Sequence, residues 1–185
     1  SLGLVGSEMC IRDSICTAQV LLAVMAAMYA VYHGPDGLRA IAHEVRRQTH
    51  RLQASLTAAG ITVEEALRFD ALVLEVPDAA ALCDRAAEAG FLLREVSPTR
   101  VAIACDETTQ DSDLESLLAV ICPGQSLLLT DAPALPDTLR RDGDLLPQSI
   151  FHRCHSETAM LRYLKRLESK AVSYTHLRAH ETEAD

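Results

Sequence analysis

Lysine is almost missing from this 185-residue sequence: Lys165 and Lys170 stand against 15 arginines. A lysine that forms a Schiff base needs a prepared pocket with a cofactor loop around it, and neither of these two has that context. Phosphate-binding signatures are absent as well, with no Walker loop and no glycine-rich dinucleotide fingerprint. Basic excess is lacking too. The formal net charge is −9, which excludes a general nucleic-acid binder, because neutralising phosphates takes a basic surface. Arg39, Arg46, Arg47 and Arg51 form a local basic stretch, but Glu44 interrupts it. There is no internal repeat and no low-complexity tract. Cys16, Cys83, Cys105, Cys122 and Cys154 are widely spaced, odd in number and preceded by no secretory signal, so reduced thiols in the cytosol are expected, with Cys83 and Cys105 as small core residues.

No charged residue occurs between Ser14 and Pro35, a length that would span a bilayer. The run is rich in Ala and Met and carries Thr17, Gln19, Tyr29 and Tyr32, which makes insertion marginal. A buried soluble helix is the expectation, with a membrane anchor as its competitor.

The two ends share an unusual relation. One permitted back-translation of residues 4–13 has a reverse complement that encodes residues 172–181 letter for letter. That string resembles a transposase mosaic-end sequencing adapter, so residues 1–14 and 171–185 are expected to be adapter-like scars. Residues 15–170 then form a biological stretch cut at both ends. Setting aside Arg12, Arg178, Glu8, Asp13, Glu181, Glu183 and Asp185 leaves it at −6, still acidic.

Within that stretch the apolar period changes. Ile15 to Tyr32 reads as a helix apolar on most sides, ended by the breaker cluster His33-Gly34-Pro35-Asp36-Gly37. Leu38 to Ala59 is amphipathic, with Leu38, Ile41, Val45, Leu52 and Leu56 near one face, so residues 15–60 predict a helical hairpin. Phe69 to Val76 alternates as a strand, Asp78 caps an Ala-rich helix that Gly90 ends, and Phe91–Val96 and Arg100–Cys105 read as strands joined at Ser97-Pro98-Thr99. Thr109 starts a helix with Asp111 and Asp113 in its first turn, ending near Cys122-Pro123-Gly124. Residues 61–122 are thus predicted to be a small α+β domain of strand, helix, strand, strand, helix, with the helices on one face of the sheet. Residues 123–155 form a Pro-rich linker. Ser156 caps a final amphipathic helix, residues 156–170, with Met160, Leu161, Leu164 and Leu167 on its apolar side.

Chemistry is sparse along this layout. His152-Arg153-Cys154-His155 with Glu157 could ligate zinc, yet a second spaced ligand group is missing, and a polar entry to the last helix explains it more simply. Cys154 with His155 or His33 could form a nucleophilic pair, but no strained nucleophile turn accompanies it. Asp106-Glu107-Thr108-Thr109 joins two carboxylates at a strand end, where a solvated turn leading to a helix cap is the simpler reading. His43 and His50 are expected to be exposed. No catalytic, cofactor-binding or metal residue is assigned.

Taken together, three blocks resemble the P-protein family of the glycine cleavage system: Ile15-Cys16-Thr17-Ala18-Gln19 through Met28-Tyr29-Ala30-Val31-Tyr32-His33-Gly34-Pro35; Phe69–Val76 with Asp106-Glu107-Thr108-Thr109; and Phe151-His152-Arg153-Cys154-His155-Ser156-Glu157-Thr158 through Leu167-Glu168. The family pattern has a Ser-Asn pair before the first block, where Ser14 stands here, and commonly Glu at the position of Ala159. The resemblance implies a fragment from the end of the amino-terminal half: the helices entering the small C-terminal domain of a type I pyridoxal-phosphate fold, that domain, and a linker helix. It implies a whole enzyme, glycine dehydrogenase (decarboxylating), with pyridoxal phosphate bound by a part outside this stretch. The implied partners are lipoylated H-protein and the carboxy-terminal half or second subunit, with glycine as substrate, in the cytoplasm and with neither nucleic acid nor membrane. Alone, the fragment is expected to be inert and prone to aggregate. A noncatalytic interaction module or an unexpressed remnant is the alternative.

Overall fold

The computed structural model describes residues 17–64 and 69–170, with side chains from residue 19 onward in the first helix. Both adapter-like segments, Ile15 and Cys16 lie outside the described residues. The chain divides into two compact units, one built from the stretches up to Leu38 and from Gly143 onward, the other Arg39–Asp142.

Helix α1, Thr17–Ala58, runs through both stretches of expected helix and contains one residue with non-helical dihedrals, Gly34 (φ 63°, ψ −176°). In place of the expected hairpin stands one helical run broken at a single residue. Pro35 can follow directly because the first turn of a helix needs no N–H donor from it. The expectation of burial before the break is not met: every residue from Gln19 to Ala27 is exposed, and Leu22 stands 65 % open. Its apolar residues surround the helix instead of forming one stripe, so a single packed face could not cover them. Among the described residues, no helix is long and apolar enough to cross a membrane.

In the unit Arg39–Asp142 the later part of α1 is amphipathic and buries Val45, Gln48, Thr49, Leu52, Ser55 and Leu56. Four antiparallel strands follow: β1 (Thr62–Val63), β2 (Ala71–Glu75), β3 (Arg94–Ser97) and β4 (Arg100–Ala104), in the order β1-β2-β4-β3. Pairing of Leu72 with Ile103 and of Leu74 with Val101 puts these four residues in the core. They pack with Leu52 and Leu56 of α1, with Ala79 and Leu82 of α2 (Ala79–Glu88), and with Leu114, Leu117 and Leu118 of α3 (Asp111–Ile121). The other sheet face carries Val73, Ala102 and Ala104, half-buried to exposed. The unit is the expected α+β layer.

Local chemistry explains most boundaries. Asp78 Oδ1 accepts from Ala81 N at 3.0 Å, starting α2 as expected. Gly90 (φ 90°) follows its end, where a left-handed residue closes the last turn at little cost. The helix α3 begins one residue later than expected, with Gln110 in place of Thr109 as cap, because the Thr109 hydroxyl already accepts from Asp106 N at 3.0 Å. Gln110 N donates to Asp113 Oδ2 at 2.8 Å instead. Strand β3 starts at Arg94; of the residues expected before it, Phe91 and Leu93 pack on the core and Leu92 points to solvent. The strand β1 was not anticipated, since two residues carry no readable period.

After α3 the Pro-rich segment follows the unit's surface. Leu127 packs on the core, Leu128 N donates to Ser55 Oγ at 2.9 Å, and Arg46 donates to Pro133 O. In the other unit a short 3-10 turn, Ser149–His152, precedes α4, Glu157–Glu168. Ser156 caps α4 by accepting from Ala159 N at 3.3 Å, as expected. Leu161, Leu164 and Leu167 of α4 are exposed.

Candidate functional site

The break in α1 and the segment before α4 meet. Gly34 is buried, and a Cβ there would lie 2.6 Å from Phe151 O and closer still to the His155 ring. Only glycine tolerates both that contact and this backbone conformation. A proline without an N–H and a non-helical Gly34 leave carbonyls of the preceding turn short of donors. His155 supplies one: its Nδ1 lies 2.8 Å from Tyr32 O, and because a carbonyl only accepts, Nδ1 carries the proton. His152 Nε2 lies 3.0 Å from Leu146 O in the same manner.

The two histidines of His152-Arg153-Cys154-His155 reach separate backbone carbonyls. Each imidazole has one ring nitrogen on its carbonyl, and among the described residues no group of three or more His, Cys, Asp or Glu is arranged to hold a metal. Cys154 is buried, and no imidazole among the described residues hydrogen-bonds to its thiol. The ring of His33 packs instead against Tyr29 and Tyr32, with centroids 4.3 and 5.2 Å away. Beside Cys154 a cavity of about 220 Å³ is lined by Arg153, Arg162, Tyr163 and Arg166, and Arg166 lies over the Tyr163 ring at 5.5 Å.

The carboxylates at the end of β4 build a turn. Asp106 Oδ1 accepts from Thr108 N at 2.9 Å, Thr108 Oγ1 at 2.7 Å and Thr109 N at 3.1 Å. These bonds, the Thr108 hydroxyl first, hold its carboxyl below the usual range. The solvated turn is therefore the reading the geometry bears out.

Next to that turn the structure forms a cleft of about 630 Å³ between α1 and the start of α3, lined by Glu44, Gln48 and residues 107–112. Arg51 Nη1 sits 2.8 Å from both Asp111 oxygens, and Arg47 Nε donates to Glu44 Oε2 at 2.8 Å. The Arg47 hydrogen bond holds Glu44 below its ordinary value despite burial. For Asp111, burial pushes the carboxyl up, but hydrogen bonds from Arg51 and Gln48 with the charges of Arg51 and Arg47 outweigh it and hold it low. Sequence reasoning passed over Gln48. Its signal was its spacing, three residues after Val45 and four before Leu52, which sets an amide on the apolar stripe.

His43 is exposed, while His50 is half-buried rather than exposed as expected. Cys105 is buried and Cys83 half-buried; burial pushes both thiols up. Lys165 is exposed and donates to Glu168 at 2.9 Å, and Lys170 is also exposed. Neither has the enclosed surroundings that a Schiff-base lysine needs.

The glycine cleavage system P-protein family model matches residues 11–121. The chain is 42% identical over 164 residues to the glycine dehydrogenase (decarboxylating) of Akkermansia muciniphila, covering 87% of this chain and 17% of that protein. The protein of the same name from Shewanella halifaxensis is 40% identical over 179 residues, covering 89% and 18%. That from Xanthomonas oryzae pv. oryzae is 45% identical over 164 residues, covering 87% and 17%. The chain thus spans about a sixth of the length of these relatives. It belongs to the glycine cleavage system P-protein family.

Proposed function

We propose that this chain is a packing part of a pyridoxal-phosphate-dependent glycine dehydrogenase (decarboxylating), an enzyme that releases carbon dioxide from glycine and passes the aminomethyl group to the lipoyl arm of H-protein. The observation that carries the reading is the exposed apolar stretch of α1, Gln19 to Ala27, in a chain that matches only 17% of a relative's length. Continuous apolar surface of this kind marks an interaction site. Its cover is the remaining polypeptide of the enzyme, either the carboxy-terminal half or a second subunit.

In this reading residues 61–122 are the small domain at the end of the amino-terminal half, residues 123–155 a linker and 156–170 a linker helix, in a cytoplasmic enzyme. Pyridoxal phosphate, bound elsewhere in the whole enzyme, supplies an electron sink when carbon dioxide leaves. The residues here hold structure: His155 ties the α1 break to the segment before α4, and Asp106 shapes the turn that leads into α3.

The test is exchange of labelled bicarbonate into glycine by the purified chain, with pyridoxal phosphate and lipoylated H-protein added. The expected rate is that of the blank. Exchange above the blank would overturn the assignment of an inert packing role.

A further inference from the structure

Several arginines of this chain meet acceptors. Arg47 pairs with Glu44, Arg51 with Asp111, Arg100 with Glu64 and Arg140 with Asp137, while Arg46 and Arg85 donate to backbone carbonyls. Around α4 that pattern stops. Arg153, Arg162 and Arg166 line one cavity beside Cys154, and among the described residues none of the three forms an ion pair with a carboxylate. Helix geometry gives the reason. At about 100° per residue, Arg162 and Arg166 share a face with Ala159 and Tyr163, whereas Glu157 and Glu168 fall on the opposite one, and Glu168 is held by Lys165 at 2.9 Å. Two like charges four residues apart on a helix destabilise it, so an anion that neutralises them recovers that loss. The cavity is open to one: all three arginines are exposed, and a ligand reaches them from solvent. The Arg166 guanidinium is also oriented by the Tyr163 ring, 5.5 Å away.

We infer that this cavity binds the phosphate group of a small soluble molecule, with N–H groups of Arg153, Arg162 and Arg166 donating to its oxygens. A phosphate group offers three acceptor oxygens and a charge of about −1.5 to −2 near neutral pH, enough for several guanidinium forks, whereas a carboxylate offers two oxygens and a single charge. The volume of about 220 Å³, set against about 30 Å³ for a water in the liquid, takes a phosphate with a few further atoms. A lipid headgroup fits less well. Leu161 and Leu164, the exposed apolar residues that a bilayer would take up, lie on the side of α4 away from Arg162 and Arg166. The inference goes beyond the packing role and stands without it.

The experiment is a titration of the 185-residue chain with inorganic phosphate at constant ionic strength, followed by NMR at the backbone amides of 153–166 and the arginine Nε–H groups, with acetate as the carboxylate control. The expected result is a saturable shift at the residues lining the cavity, with acetate about tenfold weaker. Arg162→Gln should weaken phosphate binding about fivefold, the upper range for an exposed charge pair. Arg162→Lys should recover only part of that loss, because lysine keeps the charge and lacks the planar fork. Arg94→Gln, which removes a charge from β3 outside the cavity lining, should leave affinity unchanged. No saturable shift, or a loss in Arg162→Gln no larger than in Arg94→Gln, overturns the inference. Acetate binding as tightly as phosphate overturns the choice of phosphate over a carboxylate. Binding to phosphatidylcholine vesicles that contain phosphatidic acid, without binding of free phosphate, overturns the soluble source.

Discussion

The two stretches of α1 have opposite fates, and the more apolar one, eight of nine residues from Gln19 to Ala27 against eight of twenty from Arg39 to Ala58, is the one left open. From Gln19 to Ala27 every side chain is exposed, whereas Leu52 and Leu56 are fully buried. The difference lies in arrangement. The later stretch gathers its apolar residues on one stripe and places Arg39, Arg46 and His43 off it, so a single layer of sheet and helices can bury it. The earlier stretch is apolar all round and needs neighbours on several sides. Patterning tells a helix which face to bury; apolar content alone says only that something must cover it.

Large-to-small substitution gives the widest separation between the two. Leu52→Ala should destabilise the unit Arg39–Asp142 by about 3 kcal/mol through lost burial and the cavity left behind, read as faster exchange of the β2 and β4 amides. Comparable losses at Leu52 and at an exposed leucine of the earlier stretch would erase the contrast. Gly34→Ala comes next. The strained backbone alone costs about 1–3 kcal/mol, and the contact with Phe151 O adds to it. Imidazole nitrogen shifts should report the release of His155 Nδ1 from Tyr32 O, with no change in exchange at β2 or β4. Smaller again is Ser156→Ala, expected to cost about 1 kcal/mol at the start of α4, seen as loss of protection in its first turn only.

Features set by neighbours in sequence were legible before the structure. Asp78 and Ser156 announce helix starts, and Gly90 an end, because each acts within a few residues. The α3 start was misplaced by one residue because Thr109 is an equally good cap until Asp106 takes its hydroxyl. The role of His155 was not legible. Its partner, Tyr32, is 123 residues away, and the same imidazole looked like a ligand beside Cys154. The candidate cleft was hidden for a related reason: Gln48 reveals itself only when Asp111, brought by the sheet and α3, closes over α1.

The smallest effect on stability belongs to the exposed stretch, and it sharpens the comparison most. Leu22→Gln should change the stability of either unit by less than about 0.5 kcal/mol, the usual range for a surface site, because 65 % of that residue already meets solvent. Its association should change all the same. Apolar surface this continuous drives self-association when its cover is missing, so the parent chain should sediment as a concentration-dependent mixture, and Leu22→Gln together with Leu21→Gln should move it toward monomer. If the double variant loses stability instead, residues 19–27 are packed in solution and their resemblance to the buried half of α1 is closer than their exposure implies. If neither stability nor sedimentation moves, this surface needs no partner, and the packing role proposed for the chain loses its main support.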